Sequence, residues 1–169
     1  MSFIPKILVI AGSDSGGGAG IQADIKTISY FKAYAMTAVT AITAQNTVGV
    51  QSIYPLPKET VIDQIQSVLN DLSPDVIKIG MLTDIEIINY ISKNISNFKI
   101  VLDPVMVATS GDVLVDENII DSIKNSLIEK SFLITPNIHE AEILTDIKIK
   151  NLDDQIDAAK KLLNLGCKN

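Results

Sequence analysis

Residues 7–25 read ILVIAGSDSGGGAGIQADI, and this stretch decides the fold. A short apolar run leads into a glycine-rich loop, and the loop leads to Ile21, Ile25 and Ile28, which share one face at helical spacing. The apolar run predicts a buried strand, and the spacing after the loop predicts a helix. A strand that passes through a short loop into a helix is the repeating unit of α/β folds.

The same alternation continues to the end of the chain. Apolar runs predict strands at residues 7–11, 36–44, 76–79, 100–102 and 132–134, with a less regular extended piece at 48–56. Helical spacing predicts helices from a Thr60–Asp63 capping box to residue 72, at 88–95, at 119–127 after Asp116 as N-cap, and at 152–165 before Gly166 as a left-handed stop. The pattern predicts a single α/β domain over residues 1–169, with a mostly parallel sheet and helices on both faces.

Composition excludes several classes of function. There are 14 Lys and Arg residues against 20 Asp and Glu, a net charge of −6, and every cation is Lys. Without a basic cluster, nucleic acid and anionic membranes are not expected as partners. The 1 Cys and 1 His exclude a disulfide framework and a Cys/His zinc site. With no basic segment at the N-terminus and no sufficiently apolar span, we expect a cytoplasmic protein.

Polar or small residues follow five consecutive predicted strands. In open α/β sheets, ligands bind outside the carboxyl ends of the strands, so these residues are expected to lie together. Each one alone fits ordinary turn chemistry, but five in succession favour a binding site. The five strand ends are Gly12–Gly20, Gln45–Asn46, Gly80–Met81, Asp103–Pro104 and Thr135–Asn137.

The glycine-rich loop gives the sharpest local signal. Consecutive glycines can expose successive N–H groups, and a helix that begins near Ala19 directs its positive end toward the same place. A nicotinamide-binding oxidoreductase is disfavoured, because residues 33–57 contain no acidic side chain to hold a ribose. The absence of a Gly-Lys-Ser/Thr sequence excludes a P-loop. Any phosphate chemistry must use backbone N–H groups, Lys or a metal, because the chain has no Arg.

Three acidic or amide residues each allow two interpretations. Asp24 lies one turn into the first helix, where a carboxylate either stabilises the helix N-terminus or faces a ligand at the strand ends. Asn137 and Glu140 lie three apart, and the spacing favours a capping box over a site for hydrated Mg²⁺. His139 is expected at the surface, and Cys167 is expected to pack without reacting.

Several motifs together resemble one enzyme family. The chain is similar over its whole length to the hydroxymethylpyrimidine/phosphomethylpyrimidine kinases of thiamine biosynthesis, which belong to the ribokinase-like superfamily. The motifs that carry the resemblance are AGSDSGGGAGIQADIK at 11–26, TAITAQNT at 40–47, KIGML at 78–82, VLDPVMVA at 101–108, Ser110-Gly111 and LITPNIHEA at 133–141.

The resemblance implies a ribokinase-like fold and ATP-dependent phosphorylation, with Mg²⁺, of 4-amino-5-hydroxymethyl-2-methylpyrimidine and then of its monophosphate. It implies that Gln45 contacts the aminopyrimidine, that Asp24 lies against the same ligand, and that Gly12 and Met81 line the pocket. On the phosphate side it implies Asp103, Asn137 and Glu140, with Glu140 reaching the metal through water. Similar proteins also suggest a homodimer.

The chain departs from the family pattern in two respects. Ser15-Gly16 stands where many members have Pro-Ser, which would alter the stiffness of the loop. The family also continues to a Gly-Thr-Gly-Cys loop that forms the anion hole and carries the catalytic residue, and this loop is absent from residues 1–169. We therefore expect an incomplete C-terminal part, no catalytic residue in this chain and no activity of the chain alone. The alternatives are a pyridoxal-type kinase or a non-catalytic pyrimidine-binding fragment.

Overall fold

A computed structural model of the chain describes residues 3–106 and 115–169. Its six strands form one sheet in the order β3-β2-β1-β4-β5-β6, in which β2 and β3 are antiparallel and all other pairs are parallel. The Ser110-Gly111 motif lies outside the described residues. The strands are β1 Lys6–Asp14, β2 Tyr34–Gln45, β3 Val50–Pro55, β4 Val76–Ile79, β5 Lys99–Leu102 and β6 Leu133–Ile134.

Helices connect the parallel strands, as the alternating pattern predicts. Between β5 and β6, a single 3₁₀ turn at Ile128–Lys130 follows the connecting helix. The α-helices are α1 Gly20–Tyr30, α2 Lys58–Asp71, α3 Ile85–Asn94, α4 Glu117–Ser126, α5 Ile138–Thr145 and α6 Leu152–Asn164. None of the helices in the described ranges is long and apolar enough to cross a membrane.

The two faces of the sheet carry cores of unequal size. Leu8 and Ile10 of β1 belong to a large cluster that includes buried residues of α2, α3 and α4. Val9 and Ala11 alternate with them and join Ile21 of α1 in a smaller cluster. Helices therefore cover both faces, which confirms the predicted architecture. The smaller core leaves Ile25, predicted on the buried face of α1, 38% exposed.

Most of the predicted helix ends are confirmed. Asp116 caps α4 by accepting a hydrogen bond from Ile119 N, and Gly166 follows α6 with a φ of 108°. The Thr60–Asp63 capping box is wrong, because α2 begins earlier, after Pro57 with a φ of −54°. Pro57 is the N-cap residue, and its ring offers no hydrogen-bond acceptor, so no side-chain cap forms there.

Two strand details shape the upper edge of the sheet. β1 extends three residues past the predicted strand to Asp14, and its register against β2 shifts between Ala11 and Ser13. The extended piece predicted at 48–56 is β3, which returns along β2. Beside β6, at the side of the sheet away from β3, Lys168 N donates to Ser131 O at 3.2 Å and Ile134 N donates to Asn169 O at 3.0 Å. Residues 168–169 thus run beside β6.

Candidate active site

A cleft of about 650 Å³ lies at the carboxyl ends of β1, β2, β4 and β5. All residues that the sequence analysis singled out as site residues line this one cleft, although they are spread over more than 120 positions of the chain. They meet because the carboxyl ends of parallel strands lie on the same edge of a sheet. The seven residues are Gly12, Asp24, Gln45, Met81, Asp103, Asn137 and Glu140.

The Asp14 side chain organises the glycine-rich loop from inside. It is 5% exposed, and its Oδ1 accepts a hydrogen bond from Gly16 N at 2.7 Å. Its Oδ2 accepts from Gly18 N at 2.9 Å and from Ala19 N at 2.8 Å. Burial alone would raise the pKa of this carboxyl, but the hydrogen bonds from the loop outweigh burial and hold the pKa below its ordinary value.

This arrangement changes the interpretation of the loop. The prediction that the loop exposes successive N–H groups is wrong for Gly16, Gly18 and Ala19, because Asp14 already accepts from all three. Ala19 is also the N-cap of α1, so an anion of the protein itself occupies the positive end of that helix. The loop therefore forms a wall of the cleft, and these N–H groups are not available to a phosphate.

Two side chains fasten the loop to its neighbours. Ser15 Oγ accepts a hydrogen bond from Gln45 N at 2.9 Å and donates one to Gln45 O at 2.8 Å. Gln22 Oε1 accepts from Asp14 N at 2.8 Å, and Gln22 Nε2 donates to Ser13 Oγ at 2.7 Å. Ser15 thus ties the loop to the end of β2, a contact that the sequence analysis missed when it related Ser15-Gly16 to loop stiffness alone.

The floor of the cleft is apolar and closely fitted. A Cβ on Gly12 would lie 2.7 Å from the Met81 methyl carbon, so a larger residue at position 12 would require the end of the Met81 side chain to move. The fully buried Thr40 hydroxyl reaches across the end of β1 and donates to Met81 O at 2.7 Å. Met81 is therefore held both through its side chain and through its backbone.

Lys78 links the two acidic residues in the centre of the cleft. Its Nζ lies 3.1 Å from Asp24 Oδ2 and 3.1 Å from Asp103 Oδ2. This ion pair adds a third interpretation of Asp24, which the sequence analysis had assigned either to the helix terminus or to a ligand. Among the described residues that line the cleft, Lys78 is the one cation beside four carboxyl groups.

Asn137 and Glu140 form the capping box that the spacing favours. Glu140 N donates to Asn137 Oδ1, and Asn137 N donates to Glu140 Oε2, both at 2.9 Å. Glu140 is 3% exposed, and burial raises the pKa of its carboxyl above the ordinary value of 4.5. The negative charge of Asp103 acts in the same direction, whereas the N–H groups of Asn137 and Met106 oppose the rise.

The remaining candidates behave as expected. His139 is exposed, and Cys167 is buried with its Sγ 3.3 Å from Leu162 O. Burial raises the pKa of the Cys167 thiol, which keeps it protonated and unreactive. Within the described part of the chain, no three His, Cys, Asp or Glu side chains group closely enough to hold a metal ion by themselves. Any Mg²⁺ here would need water or ligand oxygens as well.

Comparisons with known proteins agree with this geometry. Residues 14–169 match the model of the phosphomethylpyrimidine kinase family. The chain is 46% identical to the hydroxymethylpyrimidine/phosphomethylpyrimidine kinase of Bacillus subtilis, over 98% of this chain and 62% of that protein. It therefore spans a little under two thirds of that relative.

Solved structures show the same similarity. A phosphomethylpyrimidine kinase from Clostridium difficile superposes with a TM-score of 0.88 at 44% identity, over 98% of this chain and 73% of that one. A pyridoxal kinase from Staphylococcus aureus, in complex with pyridoxal, superposes with a TM-score of 0.89 at 32% identity, over 98% of this chain and 61% of that one. Both confirm the ribokinase-like fold class.

The first prediction concerns Asp14. Asp14→Asn replaces one accepting oxygen by an NH₂ group that faces N–H donors, so we expect the chain to lose about 2–3 kcal/mol of stability. For this chain length the loss corresponds to a fall of roughly 4–12 °C in Tm, measured by thermal unfolding. Asp63→Asn makes the same chemical change at an exposed position of α2 and should leave Tm nearly unchanged. Equal shifts in the two variants would contradict the account of the loop.

The second prediction concerns Glu140. Because its folded-state pKa lies above 4.5, the folded chain binds this proton more tightly than the unfolded chain, and stability falls as the pH rises from 4.5 through the raised pKa. Glu140→Gln keeps an oxygen for Asn137 N and removes the titration. We expect the Tm of the variant to rise relative to that of the parent by a few degrees between pH 4 and pH 7.

Thermal melts of both proteins across that pH range test this expectation. Glu129→Gln, which changes an exposed carboxylate, serves as the control and should run parallel to the parent. If the Tm values of the parent and of Glu140→Gln change with pH in parallel, burial of Glu140 does not affect its titration.

Proposed function

We propose a function from the premise that this chain belongs to the phosphomethylpyrimidine kinase family. Its cleft binds 4-amino-5-hydroxymethyl-2-methylpyrimidine and its monophosphate as acceptors of a phosphoryl group from ATP. The observation that carries the proposal is the meeting of all seven site residues in one cleft, with an apolar floor beside an acidic side. A parallel α/β sheet presents its ligand site at this edge.

The acceptor would lie against the floor formed by Gly12 and Met81. An amide both donates and accepts hydrogen bonds, so Gln45 can pair with an amino group and a neighbouring ring nitrogen of an aminopyrimidine. Gln45 is held for this role by the two bonds between its backbone and Ser15, and its Oε1 lies 3.2 Å from Thr43 Oγ1. Asp24 would accept a hydrogen bond from the same ligand.

The acidic side would receive the phosphates and Mg²⁺. Hard oxygen donors suit Mg²⁺, which commonly keeps several waters and takes one or two carboxylates together with substrate phosphates. Asp103 and Glu140 provide such donors, and both line the cleft. Glu140 would reach the metal through one of the waters that Mg²⁺ commonly keeps, as the resemblance implies. Bound Mg²⁺–ATP supplies the phosphoryl group and neutralises part of its charge.

Two further expectations belong to this proposal. Residues 1–169 form a single domain, and two copies of the chain pair in solution. Sedimentation velocity over a range of concentrations distinguishes a dimer from a monomer, and one cooperative unfolding transition would support a single domain. If the chain is a monomer at all concentrations, the proposed pairing is wrong, but the proposed acceptor site is not affected.

The third prediction tests the acceptor. Hydroxymethylpyrimidine at about 100 times its Kd should stabilise the chain by about 2.7 kcal/mol, because it binds only the folded form. In a thermal shift assay this corresponds to a rise of roughly 5–11 °C. Gln45→Ala should lose most of the shift, because it leaves polar groups of the ligand unpaired. Gln155→Ala, an exposed change on α6, should keep the whole shift.

Pyridoxal is the informative competitor in this assay. The chain is less identical to the pyridoxal kinase than to the pyrimidine kinases, so we expect a smaller shift from pyridoxal at the same concentration. A larger shift from pyridoxal would favour a pyridoxal-type kinase. Equal binding of hydroxymethylpyrimidine by the parent and Gln45→Ala would contradict the assignment of the site.

The fourth prediction concerns phosphoryl transfer by these 169 residues alone. Preorganised donors around a transferring group typically contribute a factor of about 10²–10³ each. In the described cleft the loop N–H groups donate to Asp14, and Lys78 is paired with two carboxylates. We therefore expect no ADP release above background with ATP, Mg²⁺ and hydroxymethylpyrimidine. The longer Bacillus subtilis relative is the positive control, and similar turnover by both proteins would overturn this expectation.

A further inference from the structure

Lys78 has no place in the function proposed so far, although it stands at the centre of the cleft. Its ammonium group touches Asp24, which belongs to the acceptor side, and Asp103, which belongs to the phosphate side. The Lys78 side chain is 20% exposed, and those of Asp24 and Asp103 are 21% and 33% exposed. Partly buried charges interact more strongly than charges at the open surface, because water screens them less.

The backbone leaves a defined space for this ammonium group. Gly80 follows Lys78 by two residues, and a Cβ on Gly80 would lie 3.2 Å from Lys78 Nζ and 2.9 Å from Ala11 Cβ. Gly80 N donates to Ile10 O at 2.8 Å, and Asp103 N donates to Ile79 O at 2.8 Å. The ends of three neighbouring strands are thus bonded together around the place where the cation lies.

We infer that Lys78 is a positioning and specificity residue, which cancels one of two carboxylate charges and so lets the same cleft accept an acceptor that already carries a phosphate. The inference rests on the proposed function. With Lys78, the group formed with Asp24 and Asp103 has a net charge of −1; without it, the charge is −2. The affinity for an uncharged alcohol depends weakly on this difference in charge. A phosphate with a charge of about −1.5 to −2 is repelled more strongly when the group carries −2.

The test is a comparison of two ligands on one variant. Lys78→Met keeps a long side chain and removes the charge. By calorimetry at low ionic strength, we expect the Kd of hydroxymethylpyrimidine to stay within about threefold of the parent, while the Kd of its monophosphate rises by about tenfold or more. Lys78→Arg keeps a cation and should keep the parent ratio of the two Kd values.

The control removes a cation from a similar ion pair elsewhere. Lys124 Nζ lies 3.2 Å from Asp146 Oδ2, its side chain is 25% exposed, and it is not among the residues that line the cleft. Lys124→Met should change neither Kd. If Lys78→Met weakens both ligands by the same factor, Lys78 has only a structural role and the inference is overturned.

A second measurement separates this inference from the proposed function. Tm is measured for Lys78→Met, Asp24→Asn and the double variant. If Lys78 bridges two carboxylates, Lys78→Met leaves them facing each other, and adding Asp24→Asn should recover part of the loss. If the Tm shift of the double variant equals the sum of the two single shifts, Lys78 does not bridge the two carboxylates. A chain that binds neither ligand would overturn the proposed function and the specificity role, while the three melting temperatures still decide whether the bridge exists.

Discussion

The carboxylate of Asp14 is a buried charge that the surrounding backbone must satisfy, and much of the cleft depends on how this is done. A buried anion without partners is costly, whereas one that accepts several N–H groups at a helix N-terminus is stable. Because the loop wraps around Asp14, Ser15 comes to the end of β2 and Gly16 packs against it. A Cβ on Gly16 would lie 3.1 Å from Gln45 O. The position of Gln45 thus depends on the buried carboxylate of Asp14, which fixes the loop that packs against it.

Charge divides the cleft into two parts that suit different partners. The floor at Gly12 and Met81 is apolar, as a flat aromatic ring requires, while Asp103 and Glu140 make the other part acidic. An acidic surface opposes phosphates unless cations accompany them. Under the proposed function, the same carboxylates that would repel bare ATP would favour its complex with Mg²⁺. Under the proposed function, ATP would therefore depend on the metal for binding as well as for phosphoryl transfer, since the chain offers no arginine.

The sequence predicted the sheet and both helical layers, and the seven residues that it named as candidates line one cleft. It succeeded because strand ends in a parallel sheet converge, so position in the chain was enough to group Gln45 with Asp103. It failed where the outcome depends on what a side chain contacts. Glycine N–H groups were assumed to be available because the pattern does not show that Asp14 turns back onto them. Lys78 was missed because it precedes the strand end, and Thr60 because Pro57 starts α2 sooner.

The hydrogen bond from Thr40 to Met81 joins β2 to the segment that follows β4, although β1 lies between these two strands in the sheet. The backbone in the floor of the cleft is therefore hydrogen-bonded across β1. A side chain at Gly12 would displace the methyl group of Met81, whereas the hydrogen bond from Thr40 to the Met81 backbone would hold the main chain in place. In the rim, Asn46 Oδ1 accepts hydrogen bonds from Val48 N and Gly49 N, whereas the Val48 side chain is 83% exposed, so divergence of substrate preference is expected to begin at rim side chains such as Val48.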